Sequence, residues 1–173
     1  AALFSLAAAA FFGVGDFFGA QASKRTTIVT VVTGSNIIGL VLVLALAPSM
    51  AEQFDGGDFV AGMFGGLSGL VGIMLLYRGL STGPMAVVAP IAAVTNAAVP
   101  AMWGVAFGER LTTMHLVGVV LGLVAIVLVS RPPEAAGPVT VRLLVESMLS
   151  GVGFAGFFIV LDGTDLASAP WPI

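Results

Sequence analysis

The sequence predicts an all-α polytopic membrane protein, an antiparallel bundle of transmembrane helices. The first observation is composition: 58% of the residues are hydrophobic and only 9% are charged. A soluble domain has about a quarter of its residues charged, so lipid must be the solvent here. The second observation is that the apolar runs are continuous. A membrane β-barrel would instead show alternating polar and apolar residues.

Several function classes lack the residues they need. The chain has no cysteine and a single histidine, His115, so neither a Cys-based nor a His-based metal site is expected. There is no basic patch with interleaved aromatic residues, which argues against nucleic-acid binding. The phosphate-binding pattern GxxxxGK[ST] is also absent. We therefore expect no cofactor, no nucleic-acid partner and no enzymatic activity.

Six segments are long and apolar enough to span a bilayer, which takes roughly 20 residues. They cover approximately residues 1–22, 27–47, 59–80, 84–107, 112–130 and 141–161. Short polar links join them, so consecutive helices are expected to lie antiparallel and adjacent. A seventh helix is expected to begin near Trp171. Because the chain starts without Met and stops at Ile173, we interpret it as a fragment of a longer protein.

Glycines at helical spacing predict close helix packing. Lipid tails do not drive helices together, whereas small residues let backbones approach. One series runs along the third segment, and two GxxxG pairs lie in the first and fifth. The residues are Gly15, Gly19, Gly62, Gly65, Gly66, Gly69, Gly72, Gly118 and Gly122. A flexible hinge is the less favoured interpretation.

The fourth segment carries two prolines, Pro90 and Pro100. Each removes a backbone donor and frees a carbonyl one turn earlier. Membrane helices tolerate such interruptions where the backbone is buried in protein or lines a cavity. Pro90 and Pro100 therefore predict a fourth helix that lines a cavity.

A short internal repeat suggests how the chain is organised. Residues 13–18 read GVGDFF, and residues 151–158 read GVGFAGFF. Five predicted helices lead from one copy to the next, which places the two copies in opposite orientations. We therefore predict the first half of a 5+5 inverted-repeat protein. Residues 1–131 would form the first repeat, 132–139 a linker, and 140–173 the start of the second repeat.

Several short motifs lie in the predicted helices and turns. They are Tyr77-Arg78-Gly79-Leu80, Ala89-Pro90-Ile91 with Pro100, Gly108-Glu109-Arg110-Leu111, Gly118 with Gly122, and Gly13-Val14-Gly15-Asp16-Phe17 in the first helix. Together these motifs resemble a known family, the EamA-type transporters of the drug/metabolite transporter superfamily. The resemblance implies ten helices in two inverted five-helix repeats. It also implies a multi-pass protein of the cell (plasma) membrane that moves small organic solutes. It does not name a substrate.

The orientation in the membrane stays open between two arguments. The links after helices one, three and five carry Lys24, Arg25, Arg78, Arg131 and Arg142, whereas the other side carries only Arg110. The positive-inside rule then places the first side in the cytoplasm and Ala1 outside. The resemblance implies the opposite, a cytoplasmic amino terminus.

Asp16 in the first helix is the main candidate for coupling to an ion. A carboxylate at membrane depth usually faces the bundle interior and marks an ion or substrate path. The alternative is that Asp16 lies near the helix end and pairs with Lys24 or Arg25.

The other candidate residues for solute contact are Asn36, Tyr77, Thr95 and Asn96. Each has a structural alternative. The two asparagines could join helices by hydrogen bonds, and this is slightly favoured for Asn36. For Tyr77 an anchor at the membrane interface is favoured. Trp103 is interpreted as a lipid-facing or packing residue.

The function expected from these residues and the resemblance is secondary transport of a small organic solute by alternating access, with export the favoured direction. The lipid bilayer, the solute, the missing second repeat and a homodimer partner are the expected partners. The alternative is a non-transporting membrane subunit whose glycine-rich helices serve assembly.

Overall fold

The computed structural model describes residues 2–50, 52–108, 112–129 and 139–173. Within these residues the chain forms six α-helices, one short 3-10 helix and no strand, which confirms the all-α prediction. The elements are α1 (Ala2–Ser23), α2 (Ile28–Met50), α3 (Gly56–Thr82), α4 (Met85–Ala106), α5 (Thr113–Val129), α6 (Val141–Asp162) and the 3-10 helix Leu166–Ser168.

The helices have the length and surface of membrane spans. Among the described residues, α2, α3, α4 and α6 are each long and apolar enough to cross a bilayer. Large apolar side chains such as Phe4, Leu40 and Phe64 point outward and are exposed, as expected where lipid replaces water. The chain is therefore an integral, multi-pass membrane protein. α1 and α5 are helical where predicted, and their crossing of the bilayer stays a prediction.

Local capping moves some helix ends from their predicted positions. α3 begins at Gly56, earlier than predicted, because the Asp55 side chain accepts a hydrogen bond of 2.9 Å from the Asp58 N–H. Such an N-cap satisfies a backbone donor that has no partner within the helix. After α4 the chain turns through Gly108, whose φ of +96° favours glycine. The rest of the Gly108–Leu111 turn lies outside the described residues.

The seventh helix expected to begin near Trp171 stays a prediction, since only residues 171–173 of it are present. Trp171 lies in a turn and meets Phe54 edge to face, with ring centroids 5.6 Å apart. The preceding segment is held against the start of α3, because the Glu52 and Gln53 N–H groups both donate to the Ala167 carbonyl at 3.0 and 3.1 Å. The backbone of this segment therefore pairs with the link before α3.

α6 lies between α3 and α4 and has its most extensive contacts with these two helices. It runs antiparallel to α3, since Gly72 contacts the Gly153 region and Gly65 contacts Val160 further along α6. It runs parallel to α4, since Gly151 contacts Ala92 while later residues of both helices line one cavity. α6 thus packs between two helices, α3 and α4, that run in opposite directions.

Glycine and serine form the contact between α3 and α6. A Cβ added at Gly153 would lie 2.8 Å from the Gly72 Cα, so the two backbones approach as closely as glycine allows. The Ser150 hydroxyl donates to the Gly72 carbonyl at 2.8 Å, and the Ser68 hydroxyl donates to the Gly153 carbonyl at 2.9 Å. Small residues permit the approach, and the hydroxyl groups bond across it.

The predicted packing glycines fall into two groups. Gly62 meets the backbone of Pro172, and a Cβ at Gly69 would lie 3.4 Å from the Phe157 Cβ. At four others, an added Cβ would meet no described atom within 4 Å. These are Gly15, Gly66, Gly118 and Gly122. Each has room for a side chain, and a packing role for these four glycines stays a prediction.

Polar contacts join α6 and its flanking segments to α3 at both ends of the bundle. At one end, which we call the basic end, Arg78 Nε lies 3.6 Å from Glu146 Oε2, and Arg142 Nε donates to Glu146 Oε1 at 2.8 Å. At the opposite end, Asp58 Oδ2 accepts from the Ser168 hydroxyl at 2.6 Å and from the Asp165 N–H at 3.0 Å. We call this the acidic end. The carboxylates that define it are Glu52, Asp55, Asp58, Asp162 and Asp165.

The α3–α6 contact predicts which glycines tolerate a side chain. Gly153→Ala should lower the free energy of unfolding by about 1–3 kcal/mol, because the added methyl group overpacks against the Gly72 backbone. Gly66→Ala is the matched control, since its added methyl group meets open space and alanine favours helix. Unfolding in a titration with denaturing detergent measures both. Equal stability of the two variants would contradict the packing described above.

Candidate functional site

Two cavities meet at Asp16. The first, which we call the inner cavity, has a volume of about 160 Å³ and lies between α1, α3, α4 and α6. Its lining is Asp16, Leu76, Leu80, Ala89, Ala92, Ala93, Asn96 and Phe154. The second, which we call the side cavity, has a volume of about 330 Å³ and lies between α1, α2 and α3. Its lining is Ala8, Phe11, Phe12, Gly15, Asp16, Ser35, Ile73 and Tyr77.

Among the described residues, Asp16 alone lines both cavities. It lies about two turns before the end of α1 and is half-buried. No ion pair joins it to Lys24 or Arg25 within the described part of the chain. The carboxylate therefore faces the bundle and not the cations at the helix end.

Tyr77 is buried, with 5% of its surface exposed, so the favoured interpretation as an interface anchor is wrong. The physical reason is Gly19. The Tyr77 ring lies against the backbone of α1 there, and an added Cβ at Gly19 would overlap the ring atoms. This contact turns the phenol inward, toward the side cavity that Asp16 also lines. Its neighbour Arg78 pairs instead with Glu146.

Asn96 brings an unpaired acceptor to the inner cavity. Its Oδ1 atom is buried and has no hydrogen-bond partner among the described residues. Leaving a buried acceptor unpaired costs about 1–3 kcal/mol, so water or a solute group is expected to donate to it. Pro100, one turn later, has no N–H to give to the Asn96 backbone carbonyl. α4 therefore presents two acceptor oxygens at this one residue.

Asn36 lies away from the inner and side cavities. It is exposed on α2, and its side-chain amide donates to the Val32 carbonyl at 2.8 Å, within its own helix. Its neighbour Ser35 does line the side cavity. A role for Asn36 in solute contact stays a prediction, with no support from its position.

Thr95 and Pro90 line a different, mostly apolar groove of about 440 Å³. The Thr95 hydroxyl donates to the Ile91 carbonyl at 2.9 Å, so its hydrogen is already used within α4. Met148 of α6 and Ile126 of α5 complete this groove. The second proline, Pro100, lines a larger cavity at the acidic end. Both prolines thus lie beside cavities, while α4 continues as a helix through them.

Comparison with protein families gives one match, and it covers most of the chain. The model of the EamA-like transporter family matches residues 1–131. The chain belongs to the EamA-like transporter family. A comparison with curated proteins gave no match, and a comparison with solved structures gave none either. EamA-like proteins are membrane transporters of the drug/metabolite type, which agrees with the apolar helices described above.

Sequence reasoning missed residues of α6 that shape the site. Phe154 closes the inner cavity, and Ser150 anchors the helix that carries it. A serine directly before Gly-Val-Gly carries little signal alone, because apolar helices often contain serine. Glu146 had a clearer signal, since it follows Arg142 at the i,i+4 spacing of a helical ion pair.

The contact between Gly19 and Tyr77 is testable because the chain has only one tyrosine. Labelling with 3-fluorotyrosine therefore gives a single ¹⁹F resonance. Gly19→Ala should shift or broaden this resonance, since the added methyl group displaces the ring. Gly13→Ala, also on α1 but facing open space, should leave it unchanged. An unshifted resonance in Gly19→Ala would show that the ring lies elsewhere.

Proposed function

We propose that this chain forms the solute-binding half of a secondary transporter that moves a small organic solute by alternating access. The inner cavity is the binding site, with Asp16 and Asn96 as its polar contacts and Tyr77 beside them. Export remains the favoured direction. The observation that carries the proposal is the meeting of two cavities at one half-buried carboxylate, Asp16.

The composition of the inner cavity fits a site for a small, partly apolar molecule. Ligand sites are typically apolar with a few convergent polar groups. Here six apolar side chains surround Asp16 and Asn96. A carboxylate at membrane depth is costly and tends to mark an ion or substrate path. A purely structural asparagine would have its side-chain oxygen bonded to a neighbouring helix, which is not the case for Asn96 within the described residues.

The position of the inner cavity along the bundle suits alternating access. The Arg78–Glu146 contact lies toward the basic end, and the Asp58–Ser168 contact lies at the acidic end. Opening the cavity to one side requires helix movement at that end while the other end stays closed. We also propose that residues 1–131 form a first repeat and that a second repeat begins at residue 140. A homodimer remains part of the proposal as well.

A cysteine at position 96 tests whether the cavity holds water. The chain has no cysteine, so Asn96→Cys introduces a single reactive thiol. A small water-soluble thiol reagent should label it from one side of the membrane, and added solute or a changed conformation should alter the rate. Val88→Cys is the control on the same helix, because Val88 is fully buried against Gly79 and should stay unlabelled. No labelling at position 96 from either side would favour the alternative of a non-transporting subunit.

Asp16→Asn tests the proposed coupling to protons. The variant keeps the size of the side chain and removes its titratable proton, so it should abolish pH-dependent uptake in proteoliposomes. Asp55→Asn is the control, since Asp55 caps α3 at the acidic end, where asparagine caps equally well. Uptake that keeps its pH dependence in Asp16→Asn would remove this carboxylate from the coupling mechanism.

A further inference from the structure

The cavity that Pro100 lines opens at the acidic end of the bundle. Its volume is about 620 Å³, within the range of small-molecule sites. It lies between the last turns of α4 and α6, and we call it the vestibule. Its lining includes Pro100, Trp103, Gly104, Phe158, Leu161 and Asp162.

Two helix C-termini border the vestibule. α4 and α6 run parallel, so both end beside this cavity. A helix C-terminus carries roughly half a negative charge, and here two such ends lie side by side. Cations, and not anions, are stabilised in such a place.

Asp162 adds a full negative charge at the C-terminus of α6, where a negative charge destabilises the helix. It is the last residue of α6, and a carboxylate at a helix C-terminus is repelled by the helix dipole. Asp162 is exposed and makes no ion pair with the described residues. No lysine or arginine appears in the described lining.

Two aromatic rings give the vestibule a surface suited to an organic cation. Trp103 is 51% exposed, and its ring centroid lies 4.5 Å from that of Phe107, which supports it from one side. Phe158 is 40% exposed and meets Phe157 edge to face. The faces of such rings attract ammonium groups, tryptophan most strongly.

We propose that the vestibule binds organic ammonium compounds, with Asp162 balancing the charge and Trp103 and Phe158 contacting the alkyl groups. A bare metal ion is the poorer fit, because only one carboxylate lies in the lining and no group of three metal-binding side chains occurs among the described residues. The cavity is also far larger than an inorganic cation needs.

The vestibule and the inner cavity are lined by residues one turn apart on α4. Pro100 lines the vestibule, and Asn96, one turn earlier on α4, lines the inner cavity with Asp16. An ammonium compound leaving the vestibule would therefore meet two further acceptor groups. The interpretation of the vestibule as an entry or exit point for the transported solute rests on the proposed function, whereas binding itself does not.

Choline and its neutral isostere 3,3-dimethylbutan-1-ol have nearly the same shape, but only choline is charged. Comparing their affinities shows how much of the binding depends on the charge. Binding to the full protein is measured by calorimetry in nanodiscs of phosphatidylglycerol, a lipid without an ammonium group. Choline should bind, and the isostere should bind at least about tenfold more weakly. Trp103→Leu should weaken choline binding about 3- to 30-fold, the range expected for loss of a cation–π contact. Asp162→Asn should weaken it to a similar extent.

Two control variants keep the test specific. Trp171→Phe removes the other tryptophan, which packs on Phe54 outside the vestibule lining. Asp55→Asn removes one charge from the same end of the bundle. Both should bind choline like the original protein. Equal binding of choline and the isostere would overturn the proposal, as would equal losses in the control variants or no choline binding at all.

The source of the ammonium group is decided in the same experiment. Replacing part of the lipid with phosphatidylcholine should compete with free choline if a lipid headgroup is the natural occupant. Unchanged choline affinity would identify a free solute. The proposal of ammonium binding and the proposed transport function can fail separately, because the labelling of Asn96→Cys needs no ammonium ligand. Labelling of Asn96→Cys without choline binding would be consistent with the proposed transporter and would reject only ammonium binding in the vestibule.

Discussion

The structure depends on one contact, the close approach of α6 to α3. Gly72 and Gly153 bring the two backbones together, and the hydroxyls of Ser68 and Ser150 bond across the gap. In lipid there is no hydrophobic force to hold helices together, so close packing and interhelical hydrogen bonds must supply the attraction. Because Gly151 packs in the same way on α4, one small-residue helix fixes the relative positions of two others.

The cavities follow from this arrangement. The glycines and serines of α6 let the backbones touch, whereas spaces remain between the helices beside Phe154 and Phe158. Phe154 closes the inner cavity and Phe158 lines the vestibule, one turn further along the helix. The side of α4 that contains Asn96 and Pro100 faces the same spaces. Close packing and open space thus alternate along α6, and neither the inner cavity nor the vestibule would have its shape without this helix.

The sequence predicted the helices well and the site only in part. Lipid as solvent leaves helices as the natural solution for continuous apolar runs, so composition alone determined the class of fold. Asp16 and Asn96 were predicted because polar groups at membrane depth are rare. Tyr77 was assigned to the interface, since nothing in the sequence shows that Gly19 would make room for its ring. Asn36, like Asn96, is an asparagine midway along an apolar helix, yet it faces outward. The direction in which it points depends on the rotation of α2 about its own axis, which the sequence does not show. Pairing between distant helices, such as α3 with α6, leaves no local signal.

A disulfide between α3 and α6 tests the central contact most directly. A Cβ at Gly65 would lie 3.3 Å from the Val160 Cβ, close to the spacing of a disulfide. The double variant Gly65→Cys with Val160→Cys should therefore form a bond under mild oxidation, detected by mass spectrometry of the digested protein. Gly66→Cys with Val160→Cys, shifted by one residue on α3, should not, because position 66 faces open space. A bond in the shifted pair and none in the first would contradict the packing of α6 on α3.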